Sequence, residues 1–344
     1  MKIALDAMGG DFSPKNPVAG AVQALRDFPD IEIIFVGDEQ RIRAELATHL
    51  LAGIESRISC HHASQVVDMQ DSGLDSLRRK KDSSISRAVD LVKSGDADAV
   101  VSAGHTGALV AAATIKLRTL PGIERAALGV LIPAEDGVFL LIDGGANIDP
   151  APRHLVGFAV MGSVYYQSVV AHGETRVGLL NIGTEPSKGT EFYKECHTLL
   201  RSAPIRFVGN VEGHGIFHRP AEVVVCDGFT GNIFLKTIEG LAKSMVQWIK
   251  TELTRNPLRI LGALLCRGAF KAVKKRTSND EYGGTPLLGV NGICIKAHGN
   301  SSSRAIRNAV RAARTAVNLG INTRIIEAMK PLHEQIPSRE NAPA

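Results

Sequence analysis

Asp, Asn, Ser, Thr, Lys and His recur in this chain at one kind of place, the short Gly-rich segment that follows an apolar run. Six segments fit: Asp6–Asp11, Ser102–Gly107, Asp143–Asn147, Asn181–Gly189, Asp227–Asn232 and His298–Ser303. At the second of them Val100 and Val101 read as a buried strand, and Ser102-Ala103-Gly104-His105-Thr106-Gly107 turns directly into an almost wholly apolar helix. A helix that starts this way leaves backbone N–H groups unpaired with the helix dipole behind them, which makes an anion site. Glycine lets the backbone approach a ligand, Asn, Ser and Thr donate or accept, and Lys and His supply charge. One such turn is also an ordinary strand–helix connection. Six of this composition predict a polar, phosphate-sized site beyond the carboxyl ends of a parallel sheet, along one edge.

The candidate ligand contacts are Asp6, Gly9, Gly10, Asp11, Ser102, Gly104, His105, Thr106, Gly107, Asn147, Asn181, Thr184, Asp227, Thr230, Gly231 and Lys236. Lys188, His298 and Asn232 are the candidate catalytic residues. A phosphate dianion held by neutral donors alone is costly to desolvate, which favours a role for Lys188 over that of a plain surface lysine. For His105 and His298 a structural role stands beside the functional one. Asp6, Asp11, Asp143 and Asp227 either ring a metal or orient lysines and turn N–H groups. The second is expected, since neither H-E-x-x-H nor an ordered His/Cys set occurs. Cys226 is expected to be a buried thiol, with no histidine placed to activate it. No P-loop, no G-x-G-x-x-G and no G-x-S-x-G is present, so neither a nucleotide cofactor nor a serine nucleophile is expected.

Alternating elements must position these turns. Strands are expected at Lys2–Asp6, Ile31–Val36, Arg57–His61, Ala127–Ile132, Gly137–Ile142, Arg176–Leu180, Ile205–Val208, Ala221–Val225 and Ile293–Ala297. Helices fill the intervals: Asn16 caps one, another runs to about Leu51, another spans Ser84–Lys93, and a long one runs from about Pro152 to Ala171. Ala134-Glu135-Asp136 joins two strands as a hairpin. Met69–Ser83, with Arg78-Arg79-Lys80-Lys81, is either a solvated loop or a flap that brings cations to an anion. This pattern predicts an α/β fold with a mostly parallel sheet between helix layers, one domain over 1–335 and a disordered tail at 336–344.

The charge is local. Of a net +5, residues Lys243–Arg276 carry nine Lys or Arg against one acid, Glu252. Within them Leu258, Leu261, Leu264 and Leu265 recur at helical spacing, and Arg267, Lys271 and Lys274 lie among the positions that follow. That is a dimer-packing helix, a surface for anionic lipid, or a dock for an acidic carrier protein. Nucleic acid is not expected, because Pro257–Arg276 has just one aromatic and no binding motif accompanies the cations. Five scattered cysteines without a C-x-x-C pair fit a reducing compartment. MKIALDAMGGD lacks a signal-peptide core, and no apolar run approaches the roughly 18–20 residues of a span, so a cytoplasmic protein with peripheral membrane contact is expected.

DAMGGDFSP, DSSISRAV, VVSAGHTGAL, DGGAN, LLNIGTEPSKG, VVVCDGFTGN, LLGVNG and AHG occur in this order between about residues 2 and 325. In these the chain resembles the bacterial phosphate acyltransferases of phospholipid synthesis. The resemblance implies a Rossmann-like α/β/α sandwich related to isocitrate and isopropylmalate dehydrogenases and to phosphotransacetylase. It also implies a homodimer and peripheral membrane association, the latter extending to a downstream membrane acyltransferase. The implied reaction is attack of inorganic phosphate on a fatty acyl thioester of acyl carrier protein, giving acyl phosphate and free carrier, with no cofactor. Position 105 is His where the family commonly has Asn, and Glu212-Gly213-His214-Gly215 lacks the family's residues after Glu-Gly. Phosphate needs no protein nucleophile, so the turns at Gly9–Gly10, Ser102–Gly107 and Thr230–Asn232 are expected to hold it. Asn147, Asn181 or His298 is expected to donate to the oxyanion or the leaving sulfur. The rivals are a phosphotransacetylase-like acyl-coenzyme A:phosphate transferase, a dehydrogenase of the related fold, and a non-catalytic membrane- or nucleic-acid-binding module.

Overall fold

Apolar strands and amphipathic helices alternate through the first third of the chain, in a computed structural model that describes residues 1–68, 70–277 and 283–335. They are Lys2–Asp6 (β1), Lys15–Asp27 (α1), Glu32–Gly37 (β2), Glu39–Leu46 (α2), Ile58–His62 (β3), Gly73–Arg79 (α3), Ser84–Ser94 (α4), Ala99–Ser102 (β4) and Thr106–Lys116 (α5). Then follow Ala127–Pro133 (β5), Val138–Ile142 (β6), Pro152–Val169 (α6), Arg176–Asn181 (β7), Glu191–Ser202 (α7), Arg206–Glu212 (β8), Val223–Val225 (β9) and Gly228–Leu253 (α8). Pro257–Leu265 (α9), Arg267–Thr277 (α10), Thr285–Leu288 (β10), Ile293–Lys296 (β11), Ser303–Asn318 (α11) and Ile321–Gln335 (α12) complete the described chain.

Several expectations shift. Asn16 does not cap α1: Pro14 precedes the helix, and the Asn16 amide donates instead to the Ser301 carbonyl at 2.9 Å. Helix α2 stops at Leu46, well short of Leu51. The polar stretch before α4 holds α3 rather than a plain loop, and within it Lys80 is paired to Asp68 and Asp71 at 2.9 and 2.7 Å. Strand β10 was not anticipated. The expected tail lies outside the described residues.

One sheet carries all eleven described strands in the order β3-β2-β1-β4-β11-β10-β5-β6-β9-β7-β8. Neighbours are parallel except at β11–β10, β10–β5 and β5–β6. The hairpin of β5 and β6 therefore reverses the sheet, and β6, β9, β7 and β8 run opposite to β1–β4 and β11. This corrects the expectation of one polar edge. The turns after β1, β4 and β11 sit at one edge of the sheet, and those after β6, β7 and β9 at the other.

Side-chain alternation assigns the faces. Ile3, Leu5 and Val101 meet α1 and α11 on one side, while Ala4 and Val100 meet α4 and α5 on the other. Phe234, Leu235 and Ile238 of α8 pack on Phe139, Leu141 and Val224. At 1.5 Å per residue α8 is ~39 Å long, well beyond the reach of the strands beneath it. Its distal half, with α9, has no buried residue, and Leu241, Val246, Trp248, Leu258, Leu261 and Leu265 are all open to solvent.

Candidate active site

At the first edge three turns lock together. Asp11 N donates to Gly299 O at 2.8 Å, and Ala297 N to Ser102 O at 2.9 Å. Gly9 lies so close to the β4 turn that a Cβ there would stand 2.5 Å from both Gly104 N and Asp6 Oδ2. Gly10 has φ +94°, where a side chain is strained, and a Cβ there would meet Gly299 O at 2.7 Å. Beneath these turns Asp6 is fully buried, accepting from Ser102 Oγ at 2.6 Å and Met8 N at 3.2 Å, while Gly104 N donates to Ser102 Oγ at 3.0 Å. Burial pushes the Asp6 carboxyl above its usual range against these hydrogen bonds.

His105 is the N-cap of α5. Its Nδ1 accepts from Ala108 N at 3.1 Å, so a neutral ring carries its proton on Nε2. Asn is among the favoured residues at such a cap, and here a ring nitrogen does the same work, which accounts for the departure at this position. Thr106 and Gly107 open the helix, and α3 packs over them: a Cβ on Gly73 would lie 2.6 Å from the Gly107 carbonyl carbon.

The second edge is built on two carboxylates. Asp143 accepts from the N–H groups of Leu128, Gly145, Ala146 and Asn147, and from the Asn147 amide, at 2.7–3.1 Å. Asp227 caps α8, accepting from Thr230 N at 2.8 Å and Thr230 Oγ1 at 2.7 Å, and from the Tyr193 hydroxyl. Gly231 is pressed against β6, with a Cβ there falling 2.0 Å from Asp143 O. Burial pushes the Cys226 thiol well above its ordinary value, consistent with an inert buried residue. Three of the four candidate metal carboxylates are thus committed to their own turns and lie at opposite edges. Among the described residues no three His, Cys, Asp or Glu side chains converge as a metal site.

Two expected oxyanion donors make hydrogen bonds within the protein. Both N–H groups of the Asn147 amide are engaged, to Ala126 O at 2.7 Å and Asp143 Oδ2 at 2.8 Å. The Asn181 amide closes its own loop, donating to Lys188 O at 3.1 Å and accepting from Ile182 N at 2.8 Å. Asn232, on the first turn of α8, is exposed and stacks against the open side of Gly145. Thr184 and Lys188 are exposed on the β7 loop.

Helix α8 links the edges. It starts beside Asp143 and runs back along the sheet, so that Glu239 Oε1 comes within 3.9 Å of His298 Nε2 while also pairing with Lys236 at 3.4 Å. The Lys236 charge is felt at Lys296, the last residue of β11. Two residues that bear on the site went unnoticed in sequence: Lys296, a cation closing an otherwise apolar strand, and Tyr193, on α7. Tyr193→Phe removes one donor from Asp227 and leaves two. A loss of about 1 kcal/mol, or about 1–2 °C in the thermal midpoint, is expected. An unchanged melting curve means this contact adds no net stability.

A family model described as fatty acid synthesis protein matches residues 1–324. A protein named phosphate acyltransferase from Akkermansia muciniphila is 51% identical over 339 residues, 96% of this chain and 97% of that one. Another of that name from Geobacter sulfurreducens is 47% identical over 330 residues, 96% and 94% of the two chains. Among solved structures, a phosphotransacetylase from Streptococcus pyogenes superposes with TM-score 0.58 at 19% identity, covering 96% of this chain and 94% of its own. A branched-chain phosphotransacylase from Enterococcus faecalis gives 0.53 at 15% identity over 92% and 99%. At these identities the structural likeness concerns the fold.

Proposed function

The chain belongs to the fatty acid synthesis protein family and is a phosphate acyltransferase, and from that premise we propose that it moves a fatty acyl group from acyl carrier protein to inorganic phosphate. The observation that carries this reading is the 51% identity to a phosphate acyltransferase along 96% of the chain. The acyl phosphate and free carrier so formed feed phospholipid synthesis.

The chemistry asks little of a protein nucleophile. Phosphate dianion attacks the thioester carbon and a thiolate leaves, so the protein's work is to hold the anion in line and stabilise the oxyanion. We assign phosphate to the interlocked turns at Gly9–Asp11 and Ser102–Gly107, over the buried Asp6–Ser102 pair. His298 and Lys236 flank it from β11 and α8. Asn232, whose amide bonds no protein group among the described residues, is the assigned oxyanion donor. Lys188, on a loop pinned by Asn181, brings a cation to the acyl-donor side. Residues 1–335 act as one catalytic domain in this reading.

No described helix is long and apolar enough to cross a membrane. The exposed apolar and basic arm of α8, α9 and α10 is assigned to a second copy of the chain and to anionic membrane. Carrier protein and the downstream membrane acyltransferase are the partners expected there, and the location that goes with this reading is the cytoplasm at the membrane surface.

The test is free-thiol release from a long-chain acyl carrier protein, with and without phosphate, trapping acyl phosphate as hydroxamate. Phosphate-dependent release with trapped hydroxamate is expected. Release from short-chain acyl-coenzyme A alone moves the donor to the phosphotransacetylase class, and no release from either overturns the reading.

A further inference from the structure

One cation is inside the molecule. Lys296 is 9% exposed, and no other lysine or arginine among the described residues is so buried. It stands in register with Ser102 on β4, and Ser102 in register with Asp6 on β1. Aligned residues of parallel neighbours point to the same face, so Asp6, Ser102 and Lys296 form one row across three strands spaced ~4.8 Å apart. The row lies directly under the turns assigned to phosphate.

Lys296 is under-satisfied there. Its Nζ donates to the Ala297 carbonyl, which uses one of its three N–H bonds, and no carboxylate among the described residues is within ion-pair distance. Asp6 attracts the ammonium through space, but its oxygens are already served by Ser102, Ser84, Met8 and Gly9. On the other side Lys236 of α8 repels it. A buried ammonium with donors to spare, facing a second cation, is a place where an anion relieves both desolvation and repulsion. Burial brings Lys296 down to about 8, close to the ~8.5 of an alkyl thiol such as cysteine, and protons pass most readily between groups so matched.

We propose that Lys296 is a catalytic residue of the transfer, binding the attacking phosphate through its ammonium and relaying the phosphate's proton to the leaving sulfur. This rests on the phosphate acyltransferase reading above. Phosphate enters as the monohydrogen dianion, and one of its oxygens bonds to the thioester carbonyl carbon as the carbonyl electrons move to oxygen. When they return, the C–S bond breaks and its electron pair leaves on sulfur. Lys296 gives sulfur a proton and takes the one the phosphate group carried. The products are the acyl phosphate dianion and a thiol, and the ammonium is restored.

On the elements around Lys296 the titratable groups nearest its end of the sheet are Asp6 on β1, His105 at the start of α5, Lys236 and Glu239 on α8, the buried Cys294 two residues back on its own strand and His298 in its own turn; β4 and β10 contribute none. Burial lowers its hold on the proton most, and of these groups Asp6 raises it and Lys236 lowers it further. The ammonium form is the active one, so activity is retained below its value and lost as pH rises through it.

The experiment measures phosphate-saturation kinetics of thiol release, with hydroxamate trapping, from about pH 6 to 10, for wild type, Lys296→Met and Lys296→Arg. In wild type, kcat/KM for phosphate, which reports the free enzyme, falls above a pH of about 8. Lys296→Met raises the phosphate KM about tenfold and lowers kcat about 100-fold. Lys296→Arg keeps the charge but releases no proton, so it restores KM to within about threefold, leaves kcat low and has no alkaline limb. A Lys296→Met enzyme within about threefold of wild type in both constants, or a wild-type profile flat across pH 8 to 10, overturns the proposal. If both variants fail to fold by circular dichroism, the wild-type profile decides alone. Failure of the wild type to release thiol with phosphate refutes the reaction itself, a separate result.

Discussion

Lys188→Ala is expected to lower phosphate-dependent thiol release by roughly 10³-fold while leaving the fold intact. The backbone of its loop is held at both ends: Asn181 Nδ2 donates to Lys188 O at 3.1 Å, and Asn210 Nδ2 donates to Glu185 O at 2.8 Å. The stem is held too, since Gly183 leaves room for it, with Lys188 Cγ only 2.7 Å from where a Cβ on Gly183 would stand. The side chain is thus aimed by the loop, yet its ammonium pairs with no carboxylate among the described residues. A lysine ordered along its stem and unpaired at its tip has its charge available to a ligand.

The measurement separates catalysis from stability. Removing an exposed, unpaired side chain moves the thermal midpoint little, within about 1 °C, so a lost rate has no structural excuse. Lys194, one turn into α7, is the control: it pairs with Glu191 at 2.6 Å on the surface, and Lys194→Ala leaves the rate unchanged. Turnover of Lys188→Ala within about threefold of wild type removes Lys188 from the mechanism.

Much of the fold was legible because its signals are local. Apolar runs of five or six residues ending in Gly-rich turns marked the strands, and the glycines at 9, 10 and 231 are among the places where backbones crowd closely. Strand β10 escaped because Pro286 and the glycines at 283, 284 and 289 read as loop punctuation. The division of the polar turns between two edges was missed for a different reason. The hairpin of Ala127–Ile132 and Gly137–Ile142 was visible, but its consequence depends on which strands join the sheet afterwards and in what order. Strand β9 lies beside β6, and β7 beside β9, so the later strands follow β6 rather than β1. Lys296 was hidden for the same kind of reason. Its partners in the row are nearly two hundred and three hundred residues away along the chain, and only strand register brings them level. The one local hint was a charge at the end of Ile293-Cys294-Ile295-Lys296, a strand otherwise apolar. Asn147 shows the opposite case: its type suits an oxyanion donor, but the Ala126 carbonyl and the Asp143 carboxylate take its amide hydrogens.

That turn carries the second large effect. Asp143→Ala is expected to destabilise the protein by about 4 kcal/mol, lowering the thermal midpoint by about 6 °C. The buried carboxylate takes three N–H donors on Oδ1, from Leu128, Gly145 and Ala146, and two on Oδ2, from Asn147. Alanine leaves several of these buried with no acceptor, the most damaging way to break a hydrogen-bond network. The loss spreads, because Gly228 N donates to Asn147 O at 2.7 Å and Asp143 O lies against Gly231, so the start of α8 is seated on this turn. Asp143→Asn tests whether acceptors or mere volume matter. Either orientation of the new amide turns an NH₂ group toward donors that need an oxygen, so Asn should recover less than half of the loss despite its nearly identical shape. Recovery of the wild-type midpoint by Asn would mean that the pocket needs only to be filled, and that the carboxylate is not what holds the second edge together.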